Sequence, residues 1–365
     1  MSSTKLLVVL GATGNQGGSV IRSFLADPTW QIRGLTRNTS SVKAQSLREQ
    51  GVEITQADLD DIDSLESAFQ GATAIFSVTD FWNAFATIAQ NSEIEDQSKI
   101  RRTYEYELQQ GKNVFDAAAK IDTLERLVFS SLSDASKWSK GKYTRVLHFE
   151  AKAHAVDYGR ETYPELWKKT SVVQVGWYLS NFLGPFLRPK KAENGVYQFV
   201  GGLKGEVKLP IAAAEEDTGP AVKALIACPP GKNLIAYREW MTPEEFVRTW
   251  SRVLGVPAEC VTLPEGQSIE GVPDILKKEF IDNWGYWNEF GYEGRDDPTV
   301  VHPKQKASHR KRMRFNVILA FTSKPLKHFQ KYTPVCLHSA SSFWWAMSWT
   351  VIQQEQGTWQ IAAEK

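Results

Sequence analysis

Short runs of continuous apolar character recur along the first half of the chain. They are Lys5–Leu10 (KLLVVL), Trp30–Thr36 (WQIRGLT), Val52–Gln56 (VEITQ), Thr73–Thr79 (TAIFSVT), Glu125–Ser131 (ERLVFSS) and Thr170–Gly176 (TSVVQVG). Between them, apolar residues return every three or four positions. In SLESAFQG, Leu65, Ala68 and Phe69 share one face before Gly71. In DQSKIRRTYEYELQQGKNVFDAAAKID, Val114, Phe115, Ala118 and Ile121 do the same, and HFEAKAHAVDYG sets His148 and Lys152 one turn apart. Strands of this kind alternating with amphipathic helices predict a parallel sheet covered on both faces. The expected fold class is α/β, a Rossmann-type doubly wound sheet with a small α/β C-terminal lobe.

Beyond Gly176 the pattern loosens into loops holding Gly184, Pro185, Pro189, Gly201, Gly202 and Pro210. AAEEDTGPAVKALIACP predicts a helix that starts on Asp217 and Thr218. In MTPEEFVRTWSRVLGVP, Thr242 is the expected N-cap, Pro243 the first helical residue and Glu245 the reciprocal partner of a capping box. We divide the chain into a nucleotide-binding domain over residues 1–175, a lobe over 176–303 interleaved with the last strands of the sheet, and an atypical tail over 304–365. The tail begins with a basic run, KQKASHRKRMR, and later holds SSFWWAMSWT, neither with clear periodicity. Three readings of it stand open: a basic aromatic arm for a partner, a divergent helical extension, or the product of a read-through intron or shifted frame.

The composition narrows the function. The chain has 365 residues, 42% hydrophobic and 23% charged, with a net charge of +1, so no global field draws it to nucleic acid or to an anionic membrane. Direct nucleic-acid binding is not expected, and the basic run alone does not argue for it. Cys228, Cys260 and Cys336 are the three cysteines; they lie far apart and fit a reducing compartment. No apolar run is long enough to span a membrane, and the N-terminus lacks the layout of a signal peptide. Cytosol or nucleus is the expected location. His154, His302, His309, His328 and His338 show no metal-ligand spacing, so no metal is expected.

The chemistry concentrates where the first strand ends, in VVLGATGNQGGSV. Gly11 allows a sharp turn off the strand, Gly14 lets backbone approach a pyrophosphate, and Gly17 lets the helix pack closely. The helix N-terminus then offers free N–H groups to phosphate. Strand, glycines and helix together point to a dinucleotide. A carboxylate after the second strand would select NAD; GLTRNTS has none, and Arg37 stands where a 2′-phosphate would lie. NADP is therefore the expected cofactor. In QADLDD, Asp58 and Leu59 are placed to meet an adenine ring, with helix capping by Asp58 or Asp60 as the alternative.

These segments resemble the NmrA-like family of atypical short-chain dehydrogenases/reductases, related to isoflavone reductase-like proteins. The resemblance rests on VLGATGNQGGSV, LTRN, ADLDD, FSVTDFW, QGKNVFDAAAK, LVFSSLSDASK, HFEAKAHAVDY, VVQVGWYLSNF, MTPEEFVRTWSRVLG and WGYWNEFGYEG. It covers about residues 1–300 and stops after EGRDDPTVVHPKQ. It implies that Gly11, Thr13, Gly14, Asn15, Gln16, Gly17 and Arg37 hold NADP, that Thr79 lies along the cofactor, and that Lys152 meets the nicotinamide ribose. It also implies two kinds of function. One is a reductase of a small organic metabolite, as in fungal secondary metabolism. The other is a non-catalytic NADP(H) redox sensor that acts as a transcriptional co-regulator through a GATA-type factor, as in nitrogen metabolite repression. The partner is then a small-molecule substrate or a transcription factor, and the sequence fixes no oligomeric state.

Classical members of the wider superfamily place a tyrosine four residues before the lysine. Here that position is His148, in HFEAK. An imidazole exchanges protons near neutral pH without help from a neighbour. His148 and Lys152 are thus the candidate catalytic pair, with a packed histidine beside the cofactor as the alternative reading. Ser130, Ser131 and Ser133 follow the fifth strand, where either a substrate carbonyl or a helix end would use them. Ser131, Trp177 and Tyr178 are the candidate substrate contacts. GWYLSNF walls either a pocket or a core. We expect the enzyme rather than the sensor, since many relatives are pathway oxidoreductases.

Overall fold

The run KLLVV forms strand β1 (Lys5–Val9), and its side chains divide between two cores. Leu7 and Val9 join one apolar cluster and Val8 another, all fully buried. This explains why the segment shows no polar alternation: both faces are covered. The computed structural model describes residues 4–303, 349–353 and 359–363.

β2 (Trp30–Thr36), β3 (Glu53–Gln56), β4 (Ala74–Ser77), β5 (Arg126–Ser131) and β6 (Thr170–Val175) repeat the pattern. Two later strands, Asn233–Ala236 and Val300–Val301, complete an eight-stranded sheet. From one edge the order is Val300–Val301, Asn233–Ala236, β6, β5, β4, β1, β2, β3, and every neighbouring pair is parallel. The order reverses between β1 and β4, which opens a crevice at their carboxyl ends. The Rossmann-type doubly wound sheet read from the sequence is the fold observed.

The helices follow the strands: α1 (Asn15–Phe24), α2 (Val42–Glu49), α3 (Ile62–Phe69), α4 (Phe81–Ala89), α5 (Asp96–Ala118), the short α6 (Ala135–Trp138) and α7 (Leu147–Thr162). Val20, Ile21 and Phe24 of α1 cover one face of the sheet together with the helix Ala214–Ala227. Leu65, Val114, Phe115 and Ala155 of α3, α5 and α7 cover the other. On that second face α7 lies against α5, and an added Cβ at Gly111 or Gly159 would overlap Ala155 or Phe115.

The smaller part holds an aromatic core around Phe199, Phe246, Trp250, Trp284 and Trp287. It is built from the helices Pro243–Leu254 and Asp274–Phe290 and two three-stranded sheets. Thr242 caps its helix with the full capping box to Glu245, as the sequence predicts. The helix expected to start on Asp217 and Thr218 instead starts at Ala214, and the Asp217 carboxylate accepts the Ala213 N–H at 2.8 Å. Of the tail, two strands are described, Trp349–Gln353 and Trp359–Ala363, paired antiparallel. The three readings of the tail otherwise fall outside the described residues.

Candidate cofactor and catalytic site

The turn after β1 is built by its glycines. Gly11 takes φ +63°, a conformation that costs other residues strain, and Leu10 still donates to Phe76 O of β4 at 3.0 Å. Gly14 is the N-cap of α1, extended and with no side chain to close the helix end. A Cβ at Gly17 would overlap the Gly11 carbonyl, so the close approach of helix and turn requires glycine there. The result is an exposed helix N-terminus at the switch point, with Gly14 and Asn15 on the surface. Thr13 and Gln16 are half-buried beside it. A cradle without side chains, facing solvent, fits the diphosphate of a dinucleotide.

At the end of β2, Arg37 is exposed and makes no hydrogen bond or ion pair among the described residues. Asn38 next to it turns back on Ser40, its Oδ1 accepting from Ser40 N at 3.0 Å. Asp58 accepts the Asp60 N–H at 3.1 Å and does not cap α3; Asp61 does, accepting from Ser64 N at 3.1 Å. Asp60 instead accepts from Gln110 Nε2 at 2.9 Å and from the Tyr106 hydroxyl. Helix capping thus explains neither Asp58 nor Asp60. Leu59 is half-buried, and its carbonyl accepts from Asn113 Nδ2 at 2.8 Å.

Thr79, just past β4, is buried and held by Lys152 of α7. Lys152 Nζ donates to Thr79 Oγ1 at 2.9 Å, to Thr79 O at 3.1 Å, and to Glu107 of α5. The Glu107 side chain is fully buried, and its Oε2 has no hydrogen-bond partner. Burying a charge is tolerated when it is paired, and Lys152 supplies that pairing.

His148 lies one turn before Lys152, in the first turn of α7. Its Nδ1 meets Glu279 of the helix Asp274–Phe290. Glu279 also accepts the backbone N–H groups of Leu147 and His148, each at 3.1 Å, and so closes the start of α7. The imidazole packs among Phe149, Trp82 and Phe81, with ring centroids at 4.8, 5.2 and 6.0 Å.

The candidate substrate residues separate. Gln16 spans the crevice: its Oε1 accepts from Ser130 Oγ at 2.8 Å and its Nε2 donates to the Tyr178 hydroxyl at 2.5 Å. Burial pushes the Tyr178 phenol up to about 12, so it stays neutral. Ser131 is buried and donates to Leu132 O at 3.3 Å. Ser133 is tied to Tyr292 O and Tyr286, and Asp134 rather than a serine caps α6. Trp177 faces away from this crevice cluster and lines, with Phe182, Phe246 and Trp284, an apolar cavity of about 80 Å³.

A family model described as the NmrA-like family matches residues 3–335. The chain belongs to the NmrA-like family. The match runs on to residue 335, which corrects the reading that the resemblance stops after Gln305. One NmrA-like relative is the family-domain-containing oxidoreductase hkm9 of Aspergillus hancockii, 30% identical over 290 residues, 75% of this chain and 80% of that protein. Among solved structures, NmrA, a negative transcriptional regulator, in complex with NADP gives a TM-score of 0.65 at 21% identity over 86% of this chain and 92% of its own. The quinone oxidoreductase QOR2 of Escherichia coli complexed with NADPH gives 0.59 at 22% identity, over 87% of this chain and 99% of its own. Both likenesses bear on fold.

Against the sequence reading of this NmrA-like site, the structure adds Glu107, Glu279, Phe81 and Trp82. Glu107 carries a legible signal, a lone acid on the apolar face of a long helix. Glu279 does not: it lies 131 residues from His148, and only the docking of the later helix brings it there. Among the described residues no helix is long and apolar enough to cross a membrane, and no group of His, Cys, Asp or Glu is arranged to hold a metal.

Proposed function

We propose that the chain is an NADP(H)-dependent oxidoreductase that reduces a small organic metabolite, with His148 as the proton-exchanging group. The observation that carries the cofactor reading is the pairing of two features at one end of the sheet. One is a helix N-terminus kept free of side chains by Gly11, Gly14 and Gly17; the other is the exposed, unpartnered guanidinium of Arg37. The first suits the diphosphate and the second a 2′-phosphate. Relatives named as oxidoreductases and structures solved with NADP or NADPH support the same reading.

When bound, the reduced nicotinamide supplies a hydride. Arg37, Thr13, Asn15 and Gln16 would hold the phosphates, Asp58 and Leu59 would flank the adenine, and Thr79 with Lys152 behind it would meet a ribose. His148, protonated on both ring nitrogens, would give its Nε2 proton to the reduced substrate, be left with its hydrogen on Nδ1, and regain the lost proton from solvent. Ser131 and Tyr178, at the ends of β5 and β6, would contact the substrate, and Trp177 would serve the lobe cavity.

The sensor reading draws on a specific observation too: all three donors of Lys152 are already engaged. NmrA itself is described as a transcriptional regulator. Turnover separates the two. NADPH oxidation measured against a panel of small carbonyl and quinone acceptors should find at least one that is reduced, and His148→Ala should stop that reaction with NADPH affinity within twofold. NADPH binding with no acceptor reduced would favour the sensor.

A further inference from the structure

We infer that Glu279 is the positioning residue for His148. It holds the ring as the Nδ1–H tautomer and leaves Nε2 as the one ring atom free to exchange a proton with a ligand. The assignment rests on the hydrogen-bond network. Glu279 Oε2 accepts the Leu147 N–H and Oε1 accepts the His148 N–H, both at 3.1 Å. Backbone N–H groups only donate, so both carboxylate oxygens act as acceptors. An ionised carboxylate has no hydrogen to give, so with Glu279 in that form the third contact, His148 Nδ1 with Oε1, has its hydrogen on Nδ1.

The surroundings isolate that arrangement. Glu279 is 2% exposed at its side chain, so no water competes for the carboxylate, whereas the His148 side chain keeps 13% exposure. Phe81, Trp82 and Phe149 enclose the ring and offer it no acceptor. Nε2 makes no hydrogen bond among the described residues. A buried carboxylate behind one ring nitrogen and an unbonded second nitrogen is the arrangement that orients a proton-transferring histidine. Glu279 comes from the lobe and His148 from the parallel-sheet domain, so docking of the helix Asp274–Phe290 completes the pair.

This inference rests on His148 being the proton-exchanging group. Two measurements keep the two ideas apart. In the 15N-labelled full chain, long-range 1H–15N correlations of the imidazole rings report the tautomer. His148 is assigned by the signal lost in His148→Gln, at a pH where the ring is neutral. We expect Nδ1 protonated and Nε2 bare in the wild type, and Nε2–H in Glu279→Leu. A bare Nδ1 in the wild type overturns the assignment, as does an unchanged tautomer in Glu279→Leu. The wild-type spectrum alone decides the matter if that variant does not fold. With an acceptor that turns over, Glu279→Leu should lower kcat at least tenfold and leave NADPH affinity within twofold. An unchanged kcat overturns the positioning role. The expected tautomer with no acceptor reduced refutes the catalytic reading and leaves the ring assignment standing.

Discussion

Lys152 Nζ donates to the hydroxyl of Thr79 at 2.9 Å. With Thr79 O and Glu107 as further partners, all three hydrogens of the ammonium are used. The Thr79 hydroxyl accepts from Lys152 and keeps its own hydrogen to donate. On the proposed reading, a ribose arriving here would meet Thr79 first, with Lys152 acting through it. Thr79→Val should weaken NADPH binding about three- to tenfold, the range expected for one hydrogen bond, as read by cofactor fluorescence titration. Unchanged affinity would remove Thr79 from the ribose site.

The buried pair behind Thr79 makes a prediction about stability. Removing one member of a buried ion pair strands the other charge and costs about 3–5 kcal/mol. Glu107→Gln and Lys152→Met should each lower stability on that scale in denaturant titrations. The double variant should recover part of the loss, because neither charge is then stranded. Strict additivity would show that the two side chains do not stabilise each other.

A second histidine of α7 sets a pH dependence. His154 hydrogen-bonds the Tyr104 hydroxyl at 2.7 Å and faces Asp134 at 3.5 Å, with Glu150 and Asp157 nearby. The Asp134 carboxylate facing it raises its pKa above the ordinary imidazole value of 6.5. The protonated form is thus favoured in the folded state. The stabilisation is fully present below pH 6.5 and is lost as pH rises through the elevated value. Thermal unfolding scans should show the wild type losing stability across that window, and His154→Gln should flatten that part of the profile. An identical profile in the variant would exclude His154 as its source.

The parallel sheet was legible because its strands are buried on both faces, so that KLLVV, AIFS and TSVVQV carry no polar alternation. The glycine turn was legible because φ +63° at Gly11 and the overlap at Gly17 leave few other residues possible. The cluster around His148 was not. Glu279 arrives from a helix more than a hundred residues later, and nothing local in DILKKEFIDNWGYW marks one acid among several as buried. The start of the helix at Ala214 was missed for a local reason. Pro220 and the acids before it resemble a helix opening, yet Asp217 reaches back to Ala213 N and lets the helix begin earlier.

Gly17→Ala tests the turn itself. The added methyl would overlap the Gly11 carbonyl, so helix and turn must separate. Forced backbone shifts of this kind cost about 1–3 kcal/mol. The variant should melt at lower temperature than the wild type and bind NADPH at least tenfold more weakly. Wild-type affinity in a folded Gly17→Ala protein would argue against a diphosphate at this loop.

The central claim is that the crevice at the carboxyl ends of β1 and β4, with Arg37 beside it at the end of β2, receives a phosphorylated nicotinamide dinucleotide. Calorimetric titration of NADPH and NADH into wild type and Arg37→Glu tests it most directly. One hydrogen bond between a guanidinium and a phosphate contributes about 1.5–3 kcal/mol, so the substitution should weaken NADPH about ten- to a hundredfold and leave NADH within about twofold. Equal affinity for NADPH in the two proteins, or no heat from the wild type with either nucleotide, would contradict it.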